Sequence, residues 1–89
     1  MDKLRIIKHE NGIALFELEG EITNKTLPTL IVNIAPESKF ILDIGKLDRI
    51  DMESAFKLAE LSKIKEITFW NAKDRIRDAL VKGTFLFKP

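Results

Sequence analysis

The sequence predicts an α/β domain: a largely parallel sheet with an antiparallel strand at its N-terminal edge, and elements in the order ββαβαβα. Three observations carry this. Asn11-Gly12 separates two short apolar segments, a strong hairpin signal. Phe40 to Ile44 and Glu66 to Trp70 are apolar runs of strand length. Three further stretches place apolar residues at helical spacing between and after those runs. Strands separated by helices require right-handed crossovers, and therefore parallel pairing.

The elements follow in order. Leu4 to Lys8 and Ile13 to Glu19 form the hairpin around His9-Glu10-Asn11-Gly12, and Gly20-Glu21-Ile22-Thr23 ends the second strand. Leu27, Leu30, Ile31 and Ile34 make one helical face, capped by Thr23 or Thr26, with Pro28 tolerated in the first turn. Ala35-Pro36-Glu37-Ser38 stops it. Phe40 to Ile44 reads as a central strand. After Asp51, a good N-cap residue, Met52, Ala55, Phe56 and Ala59 share a helical face with Leu58 beside them. Glu53, Lys57 and Glu60 form the opposite charged stripe. Glu66 to Trp70 is the next strand. Asn71 with Asp74 resembles a capping box, and Ile76, Ala79 and Leu80 give the third helix its apolar face. Lys82 and Gly83 supply C-terminal signals, and Thr84 to Phe87 are read as an optional last short strand.

At 89 residues the chain is read as one domain, residues 1–89, since a split would leave neither half a core. Hydrophobic residues make up 45% and charged residues 33%, which excludes compositional disorder. The net charge is +1; residues 73–89 are mildly basic, with five positive and two negative side chains. That is far from the excess of a dedicated nucleic-acid domain. The chain has no cysteine, so disulfides, thiolate metal sites and cysteine nucleophiles are excluded. Its apolar runs are too short to span a bilayer, and its first residues lead into a strand pattern rather than a signal-peptide core. The expectation is a small cytoplasmic domain without membrane insertion. Nothing in the sequence signals an oligomeric state.

Few residues offer chemistry. His9 is the only histidine and cannot anchor a common zinc site without cysteine or a second histidine. Ser38, Ser54 and Ser62 lack a nucleophile elbow and a nearby base. Four glycines form no phosphate-cradling loop. Lys73, Arg75, Arg77 and Lys82 are interrupted by Asp74 and Asp78 and carry no interleaved aromatics, so a solvated helix face is the better reading than a nucleic-acid surface. Asp43, Asp48, Asp51 and Glu53 cluster around a strand end, where open α/β sheets place ligands. One reading is a Mg²⁺-binding receiver-like signalling domain. Such a domain needs an acidic pair after its first strand, where this chain has only His9-Glu10. The plainer reading is a strand-end Asp, a turn Asp, a helix cap and a first-turn Glu. No catalytic residue, metal or cofactor is expected.

The string Phe40-Ile41-Leu42-Asp43-Ile44-Gly45-Lys46-Leu47-Asp48-Arg49-Ile50-Asp51 resembles the signature of the STAS domain (sulphate transporter and anti-sigma factor antagonist): an apolar strand ending in Leu-Asp-Leu, a small turn, then an apolar residue and an Asp opening a helix. Gly20-Glu21-Ile22-Thr23 resembles the Gly-Glu-Leu-Asp that closes the family's earlier strand, with Thr23 in place of Asp. Ile67 to Phe85 resembles the closing strand, helix and Gly-aromatic segment. The resemblance implies a STAS-like fold and a non-enzymatic protein-interaction module, with an anti-sigma factor or kinase-like regulator as partner.

In the regulatory branch of that family the Asp is followed by Ser-Ser-Gly or a close variant, and the third residue counted from the Asp, a Ser or Thr, is phosphorylated. Aligned so, Asp51 matches the Asp, Met52 the first Ser, Glu53 the phosphoacceptor and Ser54 the Gly. Treating Met52-Glu53 as a one-residue insertion makes Ser54 the acceptor instead. In the first register Glu53 sits in the first helical turn, where its fixed charge meets the positive end of the helix. The expected partner-binding surface is Thr23, Met52, Glu53, Ser54, Lys57, Leu58 and Leu61. Ser54, Leu58 and Leu61 form a shoulder of the helical wheel, open either to a neighbouring helix or to a partner. A different reading is a structural subunit of a larger assembly, such as the STAS subunits of lipid-transport systems.

Overall fold

Gly12 takes φ 89°, a left-handed conformation that glycine adopts without steric cost, and so reverses the chain in a single step. In the computed structural model, which describes residues 2–85, β1 (Leu4–Asn11) consequently pairs antiparallel with β2 (Ile13–Ile22) up to the turn, Asn11 opposite Ile13. His9 and Glu10, expected in the turn, are strand residues. β2 also outlasts its expected end. Gly20 has φ 110°, and a Cβ there would overlap the Lys3 carbonyl oxygen.

β3 (Lys39–Ile50) is far longer than the expected Phe40 to Ile44. Its second half pairs in parallel with Glu19 to Ile22 of β2, across register shifts between Glu17 and Glu19 and between Gly20 and Glu21. Buried Ile44, Leu47 and Ile50 fall three apart rather than two because those irregularities reset the alternation. β4 (Glu66–Trp70) adds a last parallel strand, giving a sheet of order β1-β2-β3-β4.

The crossovers are helical. α1 (Leu27–Ile34) buries Leu27, Leu30 and Ile34; Thr26 occupies its N-cap position, although its hydroxyl donates to the Glu21 carbonyl instead of capping the helix. α2 (Met52–Leu61) buries Ser54, Ala55, Leu58 and Ala59. Met52 and Phe56, expected on that buried face, are exposed. The buried arc is set by the packing of α2 against α3 and the sheet, which rotates the helix toward the Ser54–Leu58 side.

α3 (Asp74–Phe85) buries Ile76 and Leu80 as expected. It runs through Gly83, since an interior glycine costs a helix only about 1 kcal/mol and does not by itself end it. Thr84 and Phe85 are thus helical rather than strand, and residues 86 and 87 of that expected strand lie outside the described residues. Asn71 is no capping residue. It has φ 61°, and its Nδ2 donates to Asp43 Oδ1 at 3.1 Å.

α1, α2 and α3 contribute to one hydrophobic cluster on a single face of the sheet. Phe16 and Phe40 meet there edge to face, with ring centroids 5.9 Å apart, and each such fully buried side chain is worth about 1.5–3 kcal/mol. Among the described residues no helix covers the opposite face. The order is the expected ββαβαβα, with the antiparallel strand at the N-terminal edge.

Candidate functional site

Asp51 organises the junction of β3 and α2. Its extended backbone makes it the N-cap, and Oδ1 accepts from the Ser54 N–H at 2.8 Å. Oδ2 accepts from the Asn24 N–H at 3.1 Å, while the Asp51 N–H donates to the Ile22 carbonyl at 3.0 Å. One residue therefore ties together the end of β2, the turn before α1 and the start of α2. Partial burial pushes the Asp51 carboxyl upward, but the hydrogen bonds from Ser54 and Asn24, with Arg49 nearby, outweigh it and hold it below the usual aspartate range.

A second network braces the same corner. Arg49 Nε donates to Glu21 at 3.0 Å and its NH2 group reaches Asp2 at 3.4 Å. The Thr23 hydroxyl donates to the other Asp2 oxygen at 3.2 Å and accepts from the Lys25 N–H. The Thr23 N–H is satisfied by the Thr26 hydroxyl at 2.9 Å. Thr23 is accordingly buried, and it shapes the turn from within.

The seven residues expected to face a partner divide by burial. Met52 is 46% exposed, and Glu53 and Lys57 are exposed and linked by an i,i+4 ion pair at 3.4 Å. Leu61 is half-buried against the core. Thr23, Ser54 and Leu58 are enclosed, so the shoulder of the helical wheel is covered by the protein itself. Ser54 is fully buried at 0%, and its hydroxyl makes no hydrogen bond among the described residues.

Lys57 also lines a groove of about 280 Å³ with Asn24, Leu27, Pro28 and Ile31, between α1 and α2. Sequence reasoning missed this set. Asn24 reaches Asp51 across 27 positions, a distance at which no local spacing rule operates.

The acidic residues do not converge. Asp51 caps, Glu53 pairs with Lys57, and Asp43 Oδ1 accepts from the Gly45 N–H at 3.1 Å. Among the described residues no group of three His, Cys, Asp or Glu side chains is placed to hold a metal ion.

A mixed four-stranded sheet with one antiparallel edge strand, covered by helices on one face, opens a helix with an Asp cap directly after its long central strand. This is the α/β arrangement, in the order ββαβαβα, that the resemblance to STAS domains implies. The chain matches no family model and no curated protein. Among solved structures it is similar to an uncharacterized protein of the DUF3478 family with a SpoIIAA-like fold from Shewanella loihica PV-4, at 15% identity over 90% of this chain and 95% of that chain, with a TM-score of 0.47. Among the described residues no helix is long and apolar enough to cross a membrane.

Proposed function

We propose that the domain is a non-enzymatic protein-interaction module of the anti-sigma factor antagonist type, contacting its partner through the exposed start of α2. One observation carries this reading. Glu53 projects into solvent from the first turn of α2, at the position that the resemblance gives to the phosphoacceptor. A carboxylate there supplies a permanent negative charge at the positive end of the helix, where a phosphoserine would carry about −1.5 to −2.

Exposed Met52 beside Glu53 and the apolar groove bounded by Lys57 give the partner surface to grip. An anti-sigma factor or kinase-like regulator fits this reading. The competing acceptor, Ser54, is enclosed on all sides, which favours the register with Glu53.

The test is purification of the protein from its host, phosphopeptide mapping and mass spectrometry of co-purifying proteins. The expected result is an unmodified Asp51–Ser54 segment and partner binding that changes with Glu53→Ser but not with Ser54→Ala. The helix-terminus charge contributes about 0.3–1 kcal/mol, so Glu53→Ser leaves the fold intact and any large binding effect reports recognition. Phosphate on Ser54 would overturn the fixed-charge reading.

A further inference from the structure

We propose that the open face of the sheet, opposite the helices, docks a basic and apolar segment of a partner protein. The strand registers lay two rows of side chains across this face. Ile7, Glu17, Asp43 and Trp70 stand abreast in one; His9, Leu15, Ile41 and Thr68 stand abreast in the next. Ile13 and Trp70 remain 45% and 46% exposed, and Leu15 and Ile41 between them are only half covered. His9, Ile13, Leu15, Ile41 and Trp70 line one shallow depression. A contiguous apolar band of this kind marks a contact surface, whereas scattered exposed hydrophobes do not.

Charge selects the occupant. Elsewhere on this face cations answer anions: Arg5 lies opposite Glu19, and Lys39 Nζ is 3.2 Å from Glu66. Glu17 and Asp43 are instead direct cross-strand partners of like charge, an arrangement that weakens a sheet. His9 Nε2 lies 2.8 Å from Glu17 Oε1, and Asp43 is met by Asn71 and Gly45. A second, separate depression is lined by Glu17, Asp43, Lys46 and Asn71, but Lys46 stands opposite Glu19 in the register. Among the described residues neither carboxylate has a lysine or arginine at ion-pair distance.

A cationic side chain placed over Glu17 and Asp43 relieves that repulsion while its apolar neighbours cover Leu15, Ile41 and Trp70. A two-fold dimer through this face would set the acidic pair of one copy against the same surface of the other. An anionic lipid surface is repelled by the same pair. An amphipathic partner segment with lysine or arginine beside leucine-like residues satisfies both the charge and the apolar band.

Trp70 is the chain's only tryptophan, so its fluorescence reports occupancy directly. The probe is a short synthetic amphipathic helix of leucine and lysine, compared with one in which glutamate replaces lysine. The expected result is a blue shift of Trp70 emission with the lysine probe alone, and amide shift changes centred on residues 13–17, 41–43 and 68–70. Glu17→Gln combined with Asp43→Asn should weaken the lysine probe about tenfold, with stability to urea unchanged or raised. Ile13→Ser, at an exposed position, should weaken it too and serves as the second variant if the double substitution fails to fold. Unmoved Trp70 emission, equal binding of the glutamate probe, or undiminished binding by the folded variants would overturn the proposal. So would shift changes centred on the start of α2, a dimer formed through this face, or contacts from residues 86–89 to Leu15 or Ile41 in the free chain.

Discussion

The Asn24 N–H donates to Asp51 Oδ2 at 3.1 Å, while Asp51 Oδ1 accepts from the Ser54 N–H at 2.8 Å. A single carboxylate thereby starts α2 and pins the turn before α1, so the two elements bordering the proposed partner surface share one anchor.

Asp51→Ala should lower stability by about 0.5–2 kcal/mol, the usual loss for an N-cap. The Asn24 amide should also exchange faster with solvent, because its acceptor is gone. Urea denaturation and hydrogen exchange measure the two effects; coincident urea midpoints for mutant and parent would refute the anchoring role.

The depressed pKa of Asp51 makes part of this stability depend on pH. The native state binds the Asp51 proton less readily than the unfolded chain does. The contribution is complete above the ordinary aspartate pKa and is lost as pH falls through the lower folded-state value. The stability gap between the parent and Asp51→Asn should therefore shrink on acidification, as read by urea midpoints across a pH series.

Gly20→Ala and Gly12→Ala should differ in cost although both glycines have positive φ. At Gly12 no atom of the described residues beyond its chain neighbours lies within 4 Å of an added Cβ, so only the conformational penalty of about 1 kcal/mol applies. At Gly20 the Cβ also runs into the Lys3 backbone, and the loss should reach about 1–3 kcal/mol or more. Thermal melts of the two variants give the comparison.

Three substitutions on α2 should separate its buried and exposed arcs. Leu58→Ala should cost about 2–5 kcal/mol, as for a large-to-small change in a core. Met52→Ala should stay within about 0.5 kcal/mol. Ser54→Ala should be neutral or stabilising by up to about 1 kcal/mol, because it removes a buried hydroxyl that has no hydrogen-bond partner among the described residues. A large loss with Met52→Ala, measured by chemical denaturation, would contradict the observed rotation of the helix.

The element order, the hairpin, the Asp51 cap and the apolar stripes of α1 and α3 were legible in the sequence. Each rests on contacts within a few residues, where spacing and residue type dictate the outcome. Asn-Gly reverses a chain wherever it stands, and an Asp before a helical run accepts its first free amides.

Tertiary structure alone decided the rest. Met52, Phe56 and Leu58 are all apolar residues on one helix, and only the position of α3 and the sheet determines that Leu58 is buried while Met52 and Phe56 face outward. β3 continues past Gly45 because the second half of β2 offers its backbone groups as partners, a pairing that no local rule over Gly45-Lys46 contains. Asn71 reads as a cap by spacing, but the Asp43 carboxylate across the strand end claims its side chain. Likewise, Glu17 is a single acid along the chain and Asp43 groups there with Asp48, Asp51 and Glu53; the two become a like-charged pair only when β2 and β3 come into register. Local chemistry acts through bonds and neighbours within a turn or two, whereas burial and charge pairing depend on which distant segments the fold brings to within a few ångströms.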